Sequence, residues 1–301
     1  MKRVLLTGAS GFIGHNCIGP LAARGYEVHA VSSRHVIGDP AATWHHADLL
    51  DPSVIPVLVR DVRPTHLLHM AWDATPGKYW TSIDNLRWVA SSLALFHAFA
   101  ESGGKRIVAA GTCAEYEWRV GICHEEETPL VPATPYGIYK HSLRLMLDTF
   151  CKQAGLSGAW GRIFSLYGPG EYPQRLVAYA VRSLLAGGEM KCGNANLIRD
   201  YSHSADIAGA FVALLESDLE GAVNVGSGRG VRLGDILLKI GDLLGADKRL
   251  NLSTRPPDAA GEPETLIANT ERLASIGWKH RFDLDGGLAD TIAWWRQHPG
   301  H

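Results

Sequence analysis

The chain has 301 residues, with 29 lysines and arginines against 31 aspartates and glutamates, a formal net charge of −2, and 46% hydrophobic and 20% charged residues. Those proportions exclude a disordered chain and give no general attraction to nucleic acid or to an anionic membrane, so a small-molecule partner is expected. Cys17, Cys113, Cys123, Cys151 and Cys192 are scattered without a C-x-x-C pair and no apolar run approaches the length of a membrane span, which predicts reduced thiols, no metal site, no membrane partner and a cytoplasmic location.

Val4-Leu5-Leu6 predicts a short first strand that ends in Thr7-Gly8-Ala9-Ser10-Gly11-Phe12-Ile13-Gly14. Cys17, Ile18, Leu21 and Ala22 then continue at helical spacing to Arg24-Gly25. A glycine turn between strand and helix lets the backbone approach a pyrophosphate, and the helix N-terminus offers it free N–H groups and a positive dipole end. The stretch Gly8, Ser10, Gly11, Phe12, Ile13, Gly14 therefore predicts dinucleotide binding. The second strand, Glu27 to Val31, ends in Ser32-Ser33-Arg34, where a binder of NAD places an acid for the ribose 2′-hydroxyl. An arginine there suits a 2′-phosphate instead, and the cofactor is expected to be NADP(H).

A third strand, Thr43 to Ala47, ends in Asp48-Leu49 before the helix signal Asp51-Pro52-Ser53, and a fourth, Thr65 to Met70, ends in Ala71-Trp72. Lys78 to Gly103 is expected to be mostly helical, with Leu86, Val89, Leu93, Phe96 and Phe99 as its apolar stripe; Lys105 to Gly111 supplies a fifth strand. This alternation predicts an α/β fold with a Rossmann-like, doubly wound parallel sheet, and ligands beyond the carboxyl ends of its strands. Thr112 emerges at such an end and leads Cys113-Ala114-Glu115-Tyr116.

Pro135 suits a helix start, and Leu143, Leu145, Met146, Leu147 and Phe150 follow at near-helical spacing, which places Tyr136 and Lys140 one turn apart on one face. An ammonium beside a phenol favours the phenolate and lowers its pKa toward working pH. Tyr136 is thus expected to be a proton donor, with the Thr112 hydroxyl reaching the same substrate oxygen. Further on, helices are expected over Leu176 to Leu185 and Ala205 to Leu215, short strands over Glu189 to Ile198, and a strand at Ala222 to Val225.

In this order of motifs the chain resembles the extended short-chain dehydrogenase/reductases that act on nucleotide sugars as epimerases, dehydratases and ketoreductases. The likeness rests on Thr7-Gly8-x-x-Gly11-x-x-Gly14, Asp48-Leu49, His69-Met70-Ala71, Asn85, Thr112, Tyr136-x-x-x-Lys140, Arg162-Ile163-Phe164, Tyr167-Gly168-Pro169-Gly170 and Arg199-Asp200-Tyr201 ahead of Asp206. The resemblance implies that Tyr136 exchanges a proton with a sugar hydroxyl or keto oxygen and that Lys140 holds the nicotinamide ribose. It also implies that Thr112 binds the same oxygen, that Asp48 and Leu49 meet the adenine, and that Ala71, Trp72, Asn85 and Phe164 belong to the cofactor path. Residues 1–165 and 203–227 would form the NADP-binding domain, and 166–202 with 228–301 a smaller α/β substrate-binding cap. In that cap Arg199 and Arg255 match positions that clamp a sugar nucleotide's diphosphate; Arg175 is a third such cation, and Ser165 stands where many relatives carry asparagine.

The resemblance also sorts the chemistries. Dehydratases follow their threonine with Asp-Glu, whereas this chain has Cys113-Ala114, which do neither acid nor base work at neutral pH. Glu115 either contacts a hydroxyl or is structural. Ser32 and Arg34 point to exchangeable NADPH, and the expected activity is reduction of a keto sugar nucleotide, a 4-keto-6-deoxy sugar reduced at C4. A 4-epimerase using NAD and a non-catalytic NADP-sensing protein are the alternatives. Trp72, Trp80 and Trp118 fall in loops, and Trp72 is the one expected to line the substrate pocket. The apolar surplus on the helices 78–103 and 136–154, Trp88, Leu95 and Phe99 included, predicts a homodimer.

Overall fold

The computed structural model describes residues 2–35, 38–253 and 263–300. In chain order the elements are β1 (Arg3–Thr7), α1 (Gly14–Ala23), β2 (Glu27–Ser32), β3 (Ala42–His46), α2 (Val54–Val62), β4 (His66–His69), α3 (Asp84–Glu101), β5 (Arg106–Thr112), β6 (Ile122–Cys123), α4 (Pro135–Ala154), β7 (Ser157–Ile163) and β8 (Ser165–Tyr167). There follow α5 (Leu176–Leu185), β9 (Met190–Cys192), β10 (Ile198–His203), α6 (Ser204–Glu216), β11 (Gly221–Val225), β12 (Gly230–Arg232), α7 (Leu233–Leu244), β13 (Leu250–Leu252), β14 (Thr265–Ala268), α8 (Glu271–Ser275) and α9 (Leu284–Gln297).

Seven strands form one sheet in the order β3-β2-β1-β4-β5-β7-β11, and every neighbouring pair in it is parallel. Both faces are covered, so β1 reads as a continuous apolar run. Its alternation then divides the core: Val4 and Leu6 pack with Cys17, Ile18 and Phe211 on one face, and Leu5 packs with Ile55, Phe96, Phe99 and Leu147 on the other. Strand order reverses between β1 and β4, which opens a crevice at their carboxyl ends. The expected doubly wound α/β architecture is therefore present.

The remaining strands make a second sheet, β12-β10-β14-β6 with β8 joined to β10, and a β9-β13 pair. A separate core of Val181, Leu184, Ile236, Ile240, Leu288, Ile292 and Trp295 lies among α5, α7 and α9. The stretch expected to hold short strands, 189–198, contains β9, whereas β6, β8, β12 and β13, of two or three residues each, carry too little periodicity to be read from sequence. The helix expected from Lys78 starts only at Asp84. Gly77 takes φ +77°, and the Tyr79 and Trp80 rings are drawn into edge contact with Tyr136, their centroids 4.9 and 5.7 Å from its own, which residues on a continuous helix would not both reach.

Candidate active site

At the crevice the glycine turn is built for backbone alone. Gly8 has φ +65°, and a Cβ there would lie 2.8 Å from the Ala71 nitrogen, while one on Gly14 would lie 2.2 Å from the Gly8 oxygen. Thr7 braces the turn from below, its hydroxyl accepting from the Met70 and Ala71 N–H groups at 3.2 Å each. The hydroxyl also meets His69 Nδ1 at 2.8 Å, and His69 Nε2 meets Ser92 at 2.9 Å. Burial holds His69 down at about 3, with Lys140 adding to the effect, so the ring is a neutral strut. Gly8, Gly11 and the start of α1 with Phe12 and Ile13 thus leave a bare cradle at a helix N-terminus, which fits the pyrophosphate of a nicotinamide dinucleotide.

Beside it, at the ends of β1 and β2, Ser10, Ser32 and Arg34 form one hydrogen-bonded group. The two serine hydroxyls are 2.9 Å apart; the Arg34 N–H donates to Ser32 Oγ at 3.0 Å. The Arg34 guanidinium donates to the Ser10 carbonyl at 3.2 Å and sits 3.5 Å from its hydroxyl. Ser33 stands apart from this group, its carbonyl meeting His46 Nε2 at 3.1 Å. Asp48 is exposed and accepts from the Leu50 N–H at 3.0 Å, whereas Leu49 is buried in the core.

The α4 helix begins with Pro135 behind Thr134, whose side chain accepts the Gly137 N–H at 3.1 Å, and it ends on Gly155 at φ +65°. Thr112, at the end of β5, and Tyr136 and Lys140, on the first turns of α4, are buried together, at 8, 9 and 4% exposure. Thr112 is near enough to the Tyr136 hydroxyl to favour its ionised form. Sequence reasoning expects Lys140 to pull the phenol's pKa down, but the structure shows the opposite net direction: burial pushes Tyr136 up, neighbouring Tyr79 adds to the rise, and the nearby Thr112 hydroxyl opposes it. Lys140 instead donates to the Ala110 carbonyl at 2.9 Å, with its nitrogen 3.7 Å from the centroid of Trp72. Burial lowers Lys140 to about 7, against the attraction of Glu115.

Glu115 is a brace rather than a substrate contact. It is fully buried; Oε1 accepts from the Thr112 N–H at 2.9 Å and from Trp160 at 2.8 Å, and Oε2 accepts from Arg162 at 2.9 Å. Arg162 in turn donates to the Tyr116 hydroxyl at 2.8 Å, and that hydroxyl donates to Asn224 at 2.7 Å. A carboxylate so enclosed is satisfied inside the protein. Asn85 is also spent internally: it accepts from Trp72 Nε1 at 2.8 Å and donates to the Tyr79 and Ser82 carbonyls at 2.7 and 3.0 Å, so it braces a loop rather than meeting a cofactor. Phe164 is buried with Tyr116, Leu266 and Ala268, its N–H on the Val225 carbonyl.

An aromatic wall surrounds Tyr136. Trp72, Tyr79 and Trp80 each meet its ring edge-on, and Trp118 meets Trp80 the same way at 6.2 Å. Of these only Trp72 was expected at the site, whereas Tyr79 and Trp80 lay inside the helix expected over 78–103. Arg175, just before α5, lies close enough to Tyr79 to oppose the rise that burial gives its pKa. Arg175 and Arg199 both act on Tyr201, and Arg175 also acts on Glu171. Arg199 is mostly buried and donates to the Ile198 and Glu264 carbonyls at 2.9 and 3.2 Å. Ser165 lies on β8 opposite Tyr201. Arg255 falls outside the described residues. Glu171, unremarked in the sequence, is 2% exposed, with one carboxylate oxygen lacking a hydrogen-bond partner and a pKa pushed by burial to about 8. Among the described residues no cluster of metal-ligating side chains occurs and no helix is long and apolar enough to cross a membrane.

Comparison with known proteins agrees with this geometry. A UDP-glucose 4-epimerase of Azospirillum brasilense is 27% identical over 98% of this chain and 92% of its own. The structure of the Thermus thermophilus UDP-glucose 4-epimerase in complex with NAD superposes with a TM-score of 0.84 at 27% identity, covering 98% of this chain and 99% of its own. That of the Thermotoga maritima UDP-glucose 4-epimerase with UDP-glucose does so at 0.87 and 24% identity, covering 98 and 99% of the two chains. Residues 4–226 match the model of the NAD dependent epimerase/dehydratase family, and the chain belongs to that family.

Proposed function

We propose that the protein reduces the C4 keto group of a 4-keto-6-deoxy sugar nucleotide with NADPH. The observation that carries this reading is the Ser10, Ser32, Arg34 group at the ends of β1 and β2, which offers hydroxyls and a guanidinium where recognition of an unphosphorylated ribose calls for a carboxylate. A bound reduced nicotinamide supplies hydride. Tyr136 gives its proton to the incipient alkoxide, and Thr112, held by Glu115 through its own N–H, donates to or accepts from the same oxygen. Lys140 orients the nicotinamide ribose. Residues 1–165 with 203–227 make the cofactor lobe, 166–202 with 228–301 make the cap, and Arg175 and Arg199 meet the diphosphate. The cytoplasm, with its NADPH pool, is the compartment.

A homodimer belongs to the same reading. Trp88 is half-buried against Trp72, and Leu95 and Phe99 are core residues, so they drop out of the expected interface. Leu86 on α3 and Ile138, Leu145 and Met146 on α4 are 45 to 52% exposed and offer the apolar face instead. Sedimentation at micromolar concentration should give a dimer; a monomer removes this element.

The second reading is a 4-epimerase that retains NAD, favoured by the names of the relatives and by the NAD in the Thermus structure. Titrating stripped protein with NADPH and NADH separates the two. NADPH should bind more tightly, and Arg34→Ala should weaken it by about 10- to 100-fold, the worth of a charge-assisted bond of roughly 1.5–3 kcal/mol, without touching NADH. Retained NAD with no preference for NADPH would put epimerisation first.

A further inference from the structure

We propose that Trp72 is a positioning residue for Lys140, its indole face holding the buried ammonium in the charged state and aiming it at the cofactor. The inference rests on the reading of Lys140 as the lysine that meets the nicotinamide ribose.

A buried lysine ordinarily keeps its charge by pairing with a carboxylate. Lys140 is 4% exposed, and the carboxylate that acts on it, Glu115, is already committed to Arg162, Trp160 and the Thr112 N–H. The other facing groups carry no compensating charge: His69 is neutral by burial and Tyr136 keeps its proton. What lies against the ammonium is aromatic, the Trp72 centroid at 3.7 Å and the Trp160 centroid at 5.7 Å. A cation over an indole face is attracted by the ring quadrupole, most strongly when both are withdrawn from water. An aromatic face thus does here what a carboxylate does elsewhere, without placing a negative charge beside a phenol that must act as an acid.

The indole is fixed in that attitude. Its Nε1–H donates to Asn85 at 2.8 Å, Asn85 is anchored on the Tyr79 and Ser82 carbonyls, and Trp88 backs the ring at 6.1 Å and 27°. Of the three ammonium hydrogens, one goes to the Ala110 carbonyl at 2.9 Å and one to the ring. The third is left for a ligand hydroxyl, and the ring fixes its direction. With burial lowering Lys140 to about 7, small changes in this contact move the charge across the physiological range.

The test uses the nine tryptophans as reporters in the full chain with nitrogen-labelled indoles. The Trp72 resonance, identified by its loss in Trp72→Phe, should shift with pH around neutrality and stop doing so in Lys140→Met. In Trp72→Leu the loss of NADPH affinity on raising pH should set in about 0.5 to 1.5 pH units earlier than in the parent, with Trp72→Phe in between. A Trp72 indole that ignores pH, or that titrates equally in Lys140→Met, overturns the proposal, as does an unaltered pH dependence in Trp72→Leu. The indole titration needs no sugar substrate, so its presence in a protein that reduces no keto sugar nucleotide supports the contact while rejecting the proposed reaction. If Trp72→Leu does not fold, the Lys140→Met spectrum decides.

Discussion

Replacing Glu115 by glutamine tests whether the residue one step past the Thr112 turn braces the site or touches substrate. Both members of the Glu115 and Arg162 pair have no exposed side-chain area, and the carboxylate also satisfies the Thr112 and Trp160 N–H groups. Removing one charge from such a pair leaves the other buried and uncompensated, a cost of about 3–5 kcal/mol. That is a large share of a stability of roughly 5–15 kcal/mol. Urea unfolding of Glu115→Gln should therefore show a loss near the upper part of the first range, because glutamine also turns an N–H donor toward Arg162. Adding Arg162→Met removes the stranded guanidinium, and the double variant should regain more than half of the loss. Activity per folded molecule should fall mainly in kcat, as Thr112 loosens, with KM for the sugar nucleotide nearly unchanged. A Glu115→Gln protein within about 1 kcal/mol of the parent but with a clearly raised KM would refute the brace and restore the substrate contact.

Tyr136→Phe removes the proton donor and leaves the ring among Trp72, Tyr79 and Trp80; turnover should fall by about 10²- to 10⁴-fold with NADPH affinity nearly intact, and unchanged turnover would end the assignment. Glu171 carries a prediction about pH. Its folded pKa, raised by burial from 4.5 to about 8, means that the native state binds more protons than the unfolded chain between those values. Its contribution to stability is complete below about pH 4.5 and is lost as pH rises through about 8, at about 1.4 kcal/mol for each pH unit crossed. Glu171→Gln should flatten that slope and leave the protein more stable than the parent at pH 8; equal slopes in thermal melts would show that the carboxylate is not desolvated in solution.

Much of the large sheet was legible because its physics is local. Val4 to Leu6, the glycines of the turn and the helix start at Pro135 each announce an element through residues adjacent in sequence. The site's polar atoms are legible where they sit at a strand end, as Thr112 does, or at helical spacing behind a helix start, as Tyr136 and Lys140 do. What sequence hid was pairing across distance: Glu115 and Arg162 are 47 residues apart, and Trp72 lies 68 positions before Lys140. The direction of the Tyr136 shift was missed for the same reason. One turn of helix places Lys140 near the phenol, but burial of the whole group by Tyr79, Trp80 and Trp72 outweighs a neighbouring charge that is itself turned toward Ala110 and an indole.

That wall also bears on the sugar. Two of its polar atoms are taken up within the protein: Trp72 Nε1–H goes to Asn85 at 2.8 Å and Trp118 Nε1–H goes to the Cys113 carbonyl at 3.3 Å. The surface beside Tyr136 is consequently mostly aromatic carbon, from the Trp72, Tyr79 and Trp80 rings. In a hexose the substituent at C5 lies only two bonds from the reacting carbon, so whatever C6 carries is brought against this wall. A methyl group loses nothing there, whereas a C6 hydroxyl gives up its water without a replacement, at about 1–3 kcal/mol. With NADP+ and the reaction run as oxidation, kcat/KM for a 6-deoxy sugar nucleotide should exceed that for its 6-hydroxy counterpart of the same configuration by about 5- to 150-fold. Equal rates, or a preference for the hydroxylated sugar, would mean that the wall faces the nicotinamide rather than the sugar, and the 6-deoxy part of the proposal would fall while NADPH specificity stood.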